Sequence, residues 1–360
     1  MKAILMLEDG KSLVGESLGA SGERIGEVVF DTAVVGYQEM ITDPANAGKI
    51  LVLTYPLIGN YGCAPKFNES KKAWLSGLVI KEKTRIYSNW QAKQSFDDFV
   101  KENDVLTITG IDTRTLAVHL RQKGAMLGII STKTTDPKEL LSKISAFRAK
   151  QAASLLPEIS VNKVTEKGSK KAKVKIALLD LGVTNSLIAQ LERLGYQIVM
   201  LPYKTTAQEV LKHKPKGLII SGGPEDDPAL KEVAGNIRML VGKLPILGIS
   251  AGHQVLARAM GAKINKLRLG HRGVNYPVQN PASYKGEITV QNHGYVVDTD
   301  SLNKIKDIKI TGYSLNDRTV EEMESKKLKL LGVQYSAACP GFNEISPVLI
   351  RFSKMLGRSK

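Results

Sequence analysis

The chain has 360 residues, enough for about two domains at roughly 150 residues each. Hydrophobic residues make up 42% and charged residues 24%, as in an ordinary folded protein, while 51 Lys and Arg against 35 Asp and Glu leave a formal charge of +16. No run approaches the ~18 apolar residues of a membrane helix, the apolar Ala3–Leu7 opening is too short for a signal-peptide core, and two cysteines, Cys63 and Cys339, can make neither a disulfide framework nor a zinc knuckle. The expectation is a cytoplasmic chain with no membrane association and no metal.

Residues 1–133 read as a strand-rich domain. Ala3–Leu7, Ser12–Ser17 and Ile25–Phe30 are short β-type runs punctuated by Asp9-Gly10, Gly19 and Gly22. Lys49–Pro56 is a longer apolar run, and Thr113–Gln122 has the spacing of an amphipathic helix. Residues 134–173 read as a connector, with a polar helix opening at Asp136-Pro137. Lys163–Lys175 carries six lysines in thirteen residues, the pattern of a solvated segment.

From 174 to 360 compact apolar runs alternate with helical patterns. The runs are Lys175–Asp180, Gln197–Pro202, Gly217–Ser221 and Pro245–Ser250; the helices are Asn185–Leu194, Ala207–His213, Asp227–Val241 and His253–Ala259. This predicts an α/β domain with a doubly wound parallel sheet, whose sites form at the carboxyl ends of the strands. Gly248-Ile249-Ser250-Ala251-Gly252 is a literal nucleophile elbow, and on the pattern alone Ser250 is a candidate hydrolase nucleophile. Its base is the difficulty. The five histidines are His119, His213, His253, His271 and His293, none follows residue 293, and His293 is the one left open as a base.

The chain resembles the small subunit of carbamoyl phosphate synthetase over nearly its whole length. In the first domain the resemblance rests on Gly36-Tyr37-Gln38-Glu39-Met40-Ile41-Thr42-Asp43-Pro44, on Leu53–Gly62 and on Gly110-Ile111-Asp112-Thr113-Arg114. In the second it rests on Ser221-Gly222-Gly223-Pro224, Gly252-His253-Gln254, Gly270-His271-Arg272-Gly273, Gln291-Asn292-His293-Gly294-Tyr295 and Val333-Gln334-Tyr335. It implies a class I glutamine amidotransferase domain that hydrolyses glutamine through a Cys–His–Glu triad and passes ammonia to a large subunit. That subunit, with ATP and Mg, makes carbamoyl phosphate for arginine and pyrimidine synthesis; no cofactor is expected in this chain.

At the triad positions the chain departs from the family. The nucleophilic cysteine falls on Ser250, the histidine on Ser336 and the glutamate on Ala338. Among the substrate-binding positions that the resemblance implies, Ala45 replaces a serine and Ala251 a leucine, while Gly223, Gln254, Asn292, Gly294 and Tyr295 persist. The turn after Ser221-Gly222-Gly223-Pro224 loses a glycine and gains an acid, reading Glu225-Asp226-Asp227-Pro228. Removing a triad nucleophile or histidine costs ~10⁶ in turnover; from a median of about 10 per second, that leaves on the order of one event per day. The expected function is a small subunit without its own glutaminase, in a complex that uses free ammonia. A Ser250-dependent hydrolase or active glutaminase, and a non-catalytic metabolite-binding module, remain as alternatives. No nucleic-acid partner is expected, because aromatic residues are only 6% of the chain and no basic run is interleaved with them.

Overall fold

The computed structural model describes residues 1–150, 153–337 and 344–357. The chain forms two compact units, Met1–Ala152 with Arg268–Arg272, and Ala153–Leu267 with Gly273–Lys360.

The first unit contains strands β1 (Lys2–Leu7), β2 (Ser12–Gly19), β3 (Glu23–Asp31), β4 (Lys49–Leu53), β5 (Leu57–Ile58), β6 (Gly77–Val79), β7 (Glu82–Lys83), β8 (Leu106–Thr109) and β9 (Met126–Ser131). Seven of them close into a barrel in the order β1-β2-β8-β6-β4-β3-β9, with β5 and β7 forming a separate parallel ribbon. Closure leaves no open edge among the barrel strands. The uninterrupted apolar run of β1 has a simple cause: both of its faces are covered. Ala3, Leu5 and Leu7 point into the barrel with Ile50, Val52 and Ile130, while Ile4 and Met6 pack on Leu140 and Ile144 of the helix Pro137–Ala149. That helix falls in the stretch read from sequence as a connector, yet it is part of the barrel unit.

The family-typical strings of this unit meet one another. Tyr37 Oη donates to the Gly62 carbonyl at 2.6 Å and its ring stacks on Tyr61, while Gln38 both donates to the Ala64 carbonyl at 2.8 Å and accepts from the Ala64 N–H at 3.0 Å.

The second unit contains β10 (Thr165–Lys167), β11 (Val174–Asp180), β12 (Tyr196–Pro202), β13 (Leu218–Ile220), β14 (Ile246–Ile249), β15 (Ile264–Gln279, apart from Arg268–Arg272), β16 (Gly286–Val297), β17 (Lys309–Ser314), β18 (Val320–Ser325) and β19 (Leu330–Val333). The sheet order is β10-β12-β11-β13-β14-β19-β18-β17-β15-β16. Its middle, β12-β11-β13-β14-β19, is parallel, and β18 joins it antiparallel. Alternate residues face opposite cores. Ala177, Leu179, Ile220 and Ile246 pack on Val233, Ile237 and Leu256, whereas Ile176, Leu178, Ile219 and Leu247 pack on Leu191, Leu349 and Phe352. Burial of both faces is why these strands read as continuous apolar runs. The lysine-rich segment is largely exposed but is not a free linker: β10 pairs antiparallel with β12 at the sheet edge, a place where charged side chains discourage further strand addition.

Candidate functional site

The carboxyl ends of the neighbouring strands β13, β14 and β19 hold most of the residues singled out in the sequence. After β14 the chain turns sharply at Ser250, whose φ of 51° and ψ of −115° are strained for a residue with a side chain. The turn is pinned by the Ser250 N–H donating to the Val333 carbonyl at 2.8 Å, and the helix Ala251–Ala259 begins immediately, the His253 N–H donating to the Ser250 carbonyl at 2.9 Å. Close approach explains the flanking glycines. A Cβ on Gly252 would stand 2.2 Å from the Ile220 carbonyl oxygen, and one on Gly248 2.5 Å from the Gly252 carbonyl oxygen. The backbone is therefore that of a nucleophile elbow, carrying a half-buried hydroxyl.

No described residue hydrogen-bonds that hydroxyl through its side chain. Ser336, at the position that the resemblance assigns to the histidine, is exposed three residues beyond Val333, its N–H held by the Val290 carbonyl at 2.9 Å. Ala338, at the glutamate position, and Cys339 lie outside the described residues. His293 has Nδ1 3.1 Å from the Tyr295 carbonyl and Nε2 3.8 Å from the Glu321 carboxylate, fully buried. His253 is fully buried one turn into the elbow helix, and burial pulls its imidazole down to about 3, so it is neutral. His119 pairs with Asp9 in the first unit.

The resemblance assigns substrate binding to positions in each unit. Ala45 lies in the first, in the 3-10 turn Pro44–Asn46. In the second, Gly223 is pressed so closely to the chain that a Cβ would lie 1.9 Å from the Leu181 carbonyl oxygen, and Ala251 is buried at the helix start. Gln254, one turn after Ser250, and Asn292, Gly294 and Tyr295, on β16, complete the set.

Two acids of the altered turn are buried. Glu225 places Oε1 2.5 Å from Gln254 Nε2 and Oε2 2.5 Å from the Gly294 N–H. Gln254 Nε2 also donates to the Tyr295 carbonyl at 3.0 Å. Asp227 accepts from the Ser154 hydroxyl and from the N–H groups of Leu155, Leu156 and Ala229. Asp226, between them, is exposed. The inserted acid is legible in the sequence; that its neighbourhood supplies a carboxylate to Gln254 and Gly294 is not, because the partners are 29 and 69 positions away.

Comparison with known proteins shows the family. Residues 5–130 match the family model of the carbamoyl-phosphate synthase small chain, CPSase domain, and residues 177–335 that of glutamine amidotransferase class-I. Proteins described as carbamoyl phosphate synthase small chain match end to end. That of Akkermansia muciniphila is 39% identical over 370 residues, spanning 100% of this chain and 99% of the relative. That of Chlorobaculum tepidum is 40% identical over 362 residues, spanning 99% and 98%. The Listeria monocytogenes serotype 4b protein is also 40% identical over 362 residues, spanning 99% and 97%. The chain thus belongs to the carbamoyl phosphate synthase small-chain family, with a class I glutamine amidotransferase-like second unit.

Proposed function

We propose that this small chain has lost glutamine hydrolysis and acts as the structural partner of a large synthetase subunit that takes free ammonia. ATP and Mg belong to that large subunit in this reading, and the product is carbamoyl phosphate for arginine and pyrimidine synthesis. The observation that supports it best is Ser250: the strained elbow is retained, but it carries a hydroxyl with no described side chain bonded to it as a base. An unassisted serine hydroxyl is a weak nucleophile toward an amide, unlike a cysteine whose thiolate is accessible near neutral pH. Placement of Ser336 where the family has histidine leaves no imidazole there to take the proton or return it to the leaving amine.

The retained core and elbow argue for a surviving assembly role, since neither is needed by a chain that has lost both chemistry and partner. The test is a reconstituted complex with the large subunit, assayed for carbamoyl phosphate with ammonium and, separately, with glutamine. Synthesis from ammonium alone is expected. A glutamine-dependent rate comparable to the ammonium rate would overturn the reading.

A further inference from the structure

We propose that the Glu225 carboxylate is a built-in occupant of the positions beside the elbow that the resemblance assigns to glutamine, taking the place of a free amino acid's carboxylate on Gln254 and Gly294. The donors are a side-chain amide and a backbone N–H that converge on one carboxylate, each at 2.5 Å. Such a pair recognises a carboxylate by its two oxygens, and every α-amino acid presents the same group. Here the group arrives from within the chain and is itself buried, 8% exposed.

The loop that carries Glu225 is held on both sides. Upstream, the Leu181 N–H donates to the Ser221 hydroxyl at 2.9 Å, and Gly223 lies against the Leu181 carbonyl. Downstream, Asp227 accepts four hydrogen bonds, from Ser154, Leu155, Leu156 and Ala229. Displacing the loop would therefore break an anchor, and the donors are freed only by rotation of the Glu225 side chain itself. A tethered, preorganised group competes at an effective concentration of millimolar or above, and the apparent Kd of a free ligand is its intrinsic Kd divided by the fraction of open pocket. Glutamine binding is thus weakened before any chemistry arises.

This inference rests on the reading of the elbow site as a former glutamine site, but it concerns binding and not hydrolysis. Isothermal titration of the full chain with L-glutamine and with L-glutamate tests it, using the wild type, Glu225→Ala, Glu225→Gln and the exposed-neighbour control Asp226→Ala. The wild type and Asp226→Ala are expected to give no saturable heat to about 10 mM. Glu225→Ala is expected to bind L-glutamine at least about tenfold more tightly, as release of a tethered competitor requires. Glu225→Gln, which keeps the volume but loses the charge, is expected to fall between them and serves if Glu225→Ala does not fold by near-UV circular dichroism. Wild-type binding as tight as that of the variants, or no gain in either folded variant, overturns the proposal. Wild-type binding without ammonia release would overturn it while leaving the proposed function standing; ammonia release would overturn the function itself.

Discussion

Ser250 donates its backbone N–H to the Val333 carbonyl at 2.8 Å, tying the elbow at the end of one parallel strand to the end of the next. The strained turn therefore survives without its usual nucleophile. A Ser250→Cys variant should regain thiol reactivity toward an alkylating probe but no ammonia release from glutamine, because no side chain among the described residues is bonded to it as a base. Ser250→Cys with Ser336→His should stay below ~1% of the complex's ammonium-dependent rate, since removal of a triad member costs orders of magnitude and Glu225 still fills the pocket. Adding Glu225→Gly should raise it. A coupled ammonia assay on the three variants reads the order; full activity in the single variant would contradict it.

Close backbone contact makes Gly252 intolerant of a side chain. With a Cβ only 2.2 Å from the Ile220 carbonyl oxygen, Gly252→Ala should lose about 3 kcal/mol or more in urea unfolding. Gly235 is exposed in the helix Leu230–Arg238 with nothing near its added Cβ. Gly235→Ala should gain about 0.5–1 kcal/mol from helix propensity.

The buried His253 imparts a pH dependence whose sign follows from linkage. Its folded value is about 3, below an unfolded value of ~6.5, so the unfolded chain binds the extra proton first. Stability is complete above pH ~6.5 and falls as the pH drops through the window between the two values, by about 1.4 kcal/mol per unit. Urea unfolding at pH 7 and pH 5 should differ by roughly 2 kcal/mol from this residue. In His253→Gln that share of the slope should vanish; an unchanged slope would assign it elsewhere.

Asp227 caps two chain segments at once. Replacing it by Ala strips partners from Ser154, Leu155, Leu156 and Ala229 and should cost about 2–3 kcal/mol. Asp226→Ala, one residue away and exposed, should change stability by less than ~0.5 kcal/mol. Equal effects in the two variants would rule out the cap.

Much of the fold was legible because burial writes a local pattern. Lys175–Asp180 and Pro245–Ser250 read as strands since both faces are covered, and β11 (Val174–Asp180) and β14 (Ile246–Ile249) appear where they were expected. The long strands β15 and β16 are not legible in the sequence: their mixed buried and exposed residues carry no clean period. The helix Pro137–Ala149 is legible from its Asp136-Pro137 start, but its two buried residues, Leu140 and Ile144, do not reveal that the barrel is what covers them.

By itself the sequence determined which residues stand at the positions that the resemblance assigns to the triad cysteine and histidine, Ser250 and Ser336. It also determined the elbow, because glycines two residues to either side are a local requirement of a sharp turn. Only the tertiary structure decided what the altered turn does. A sequence shows Glu225 as an acid where a glycine was expected; the fold brings it to the Gln254 amide and the Gly294 N–H, 29 and 69 positions away. Hydrogen bonds of that range depend on which strand ends lie side by side, and strand order is set by the packing of the whole sheet, not by any local run of residues.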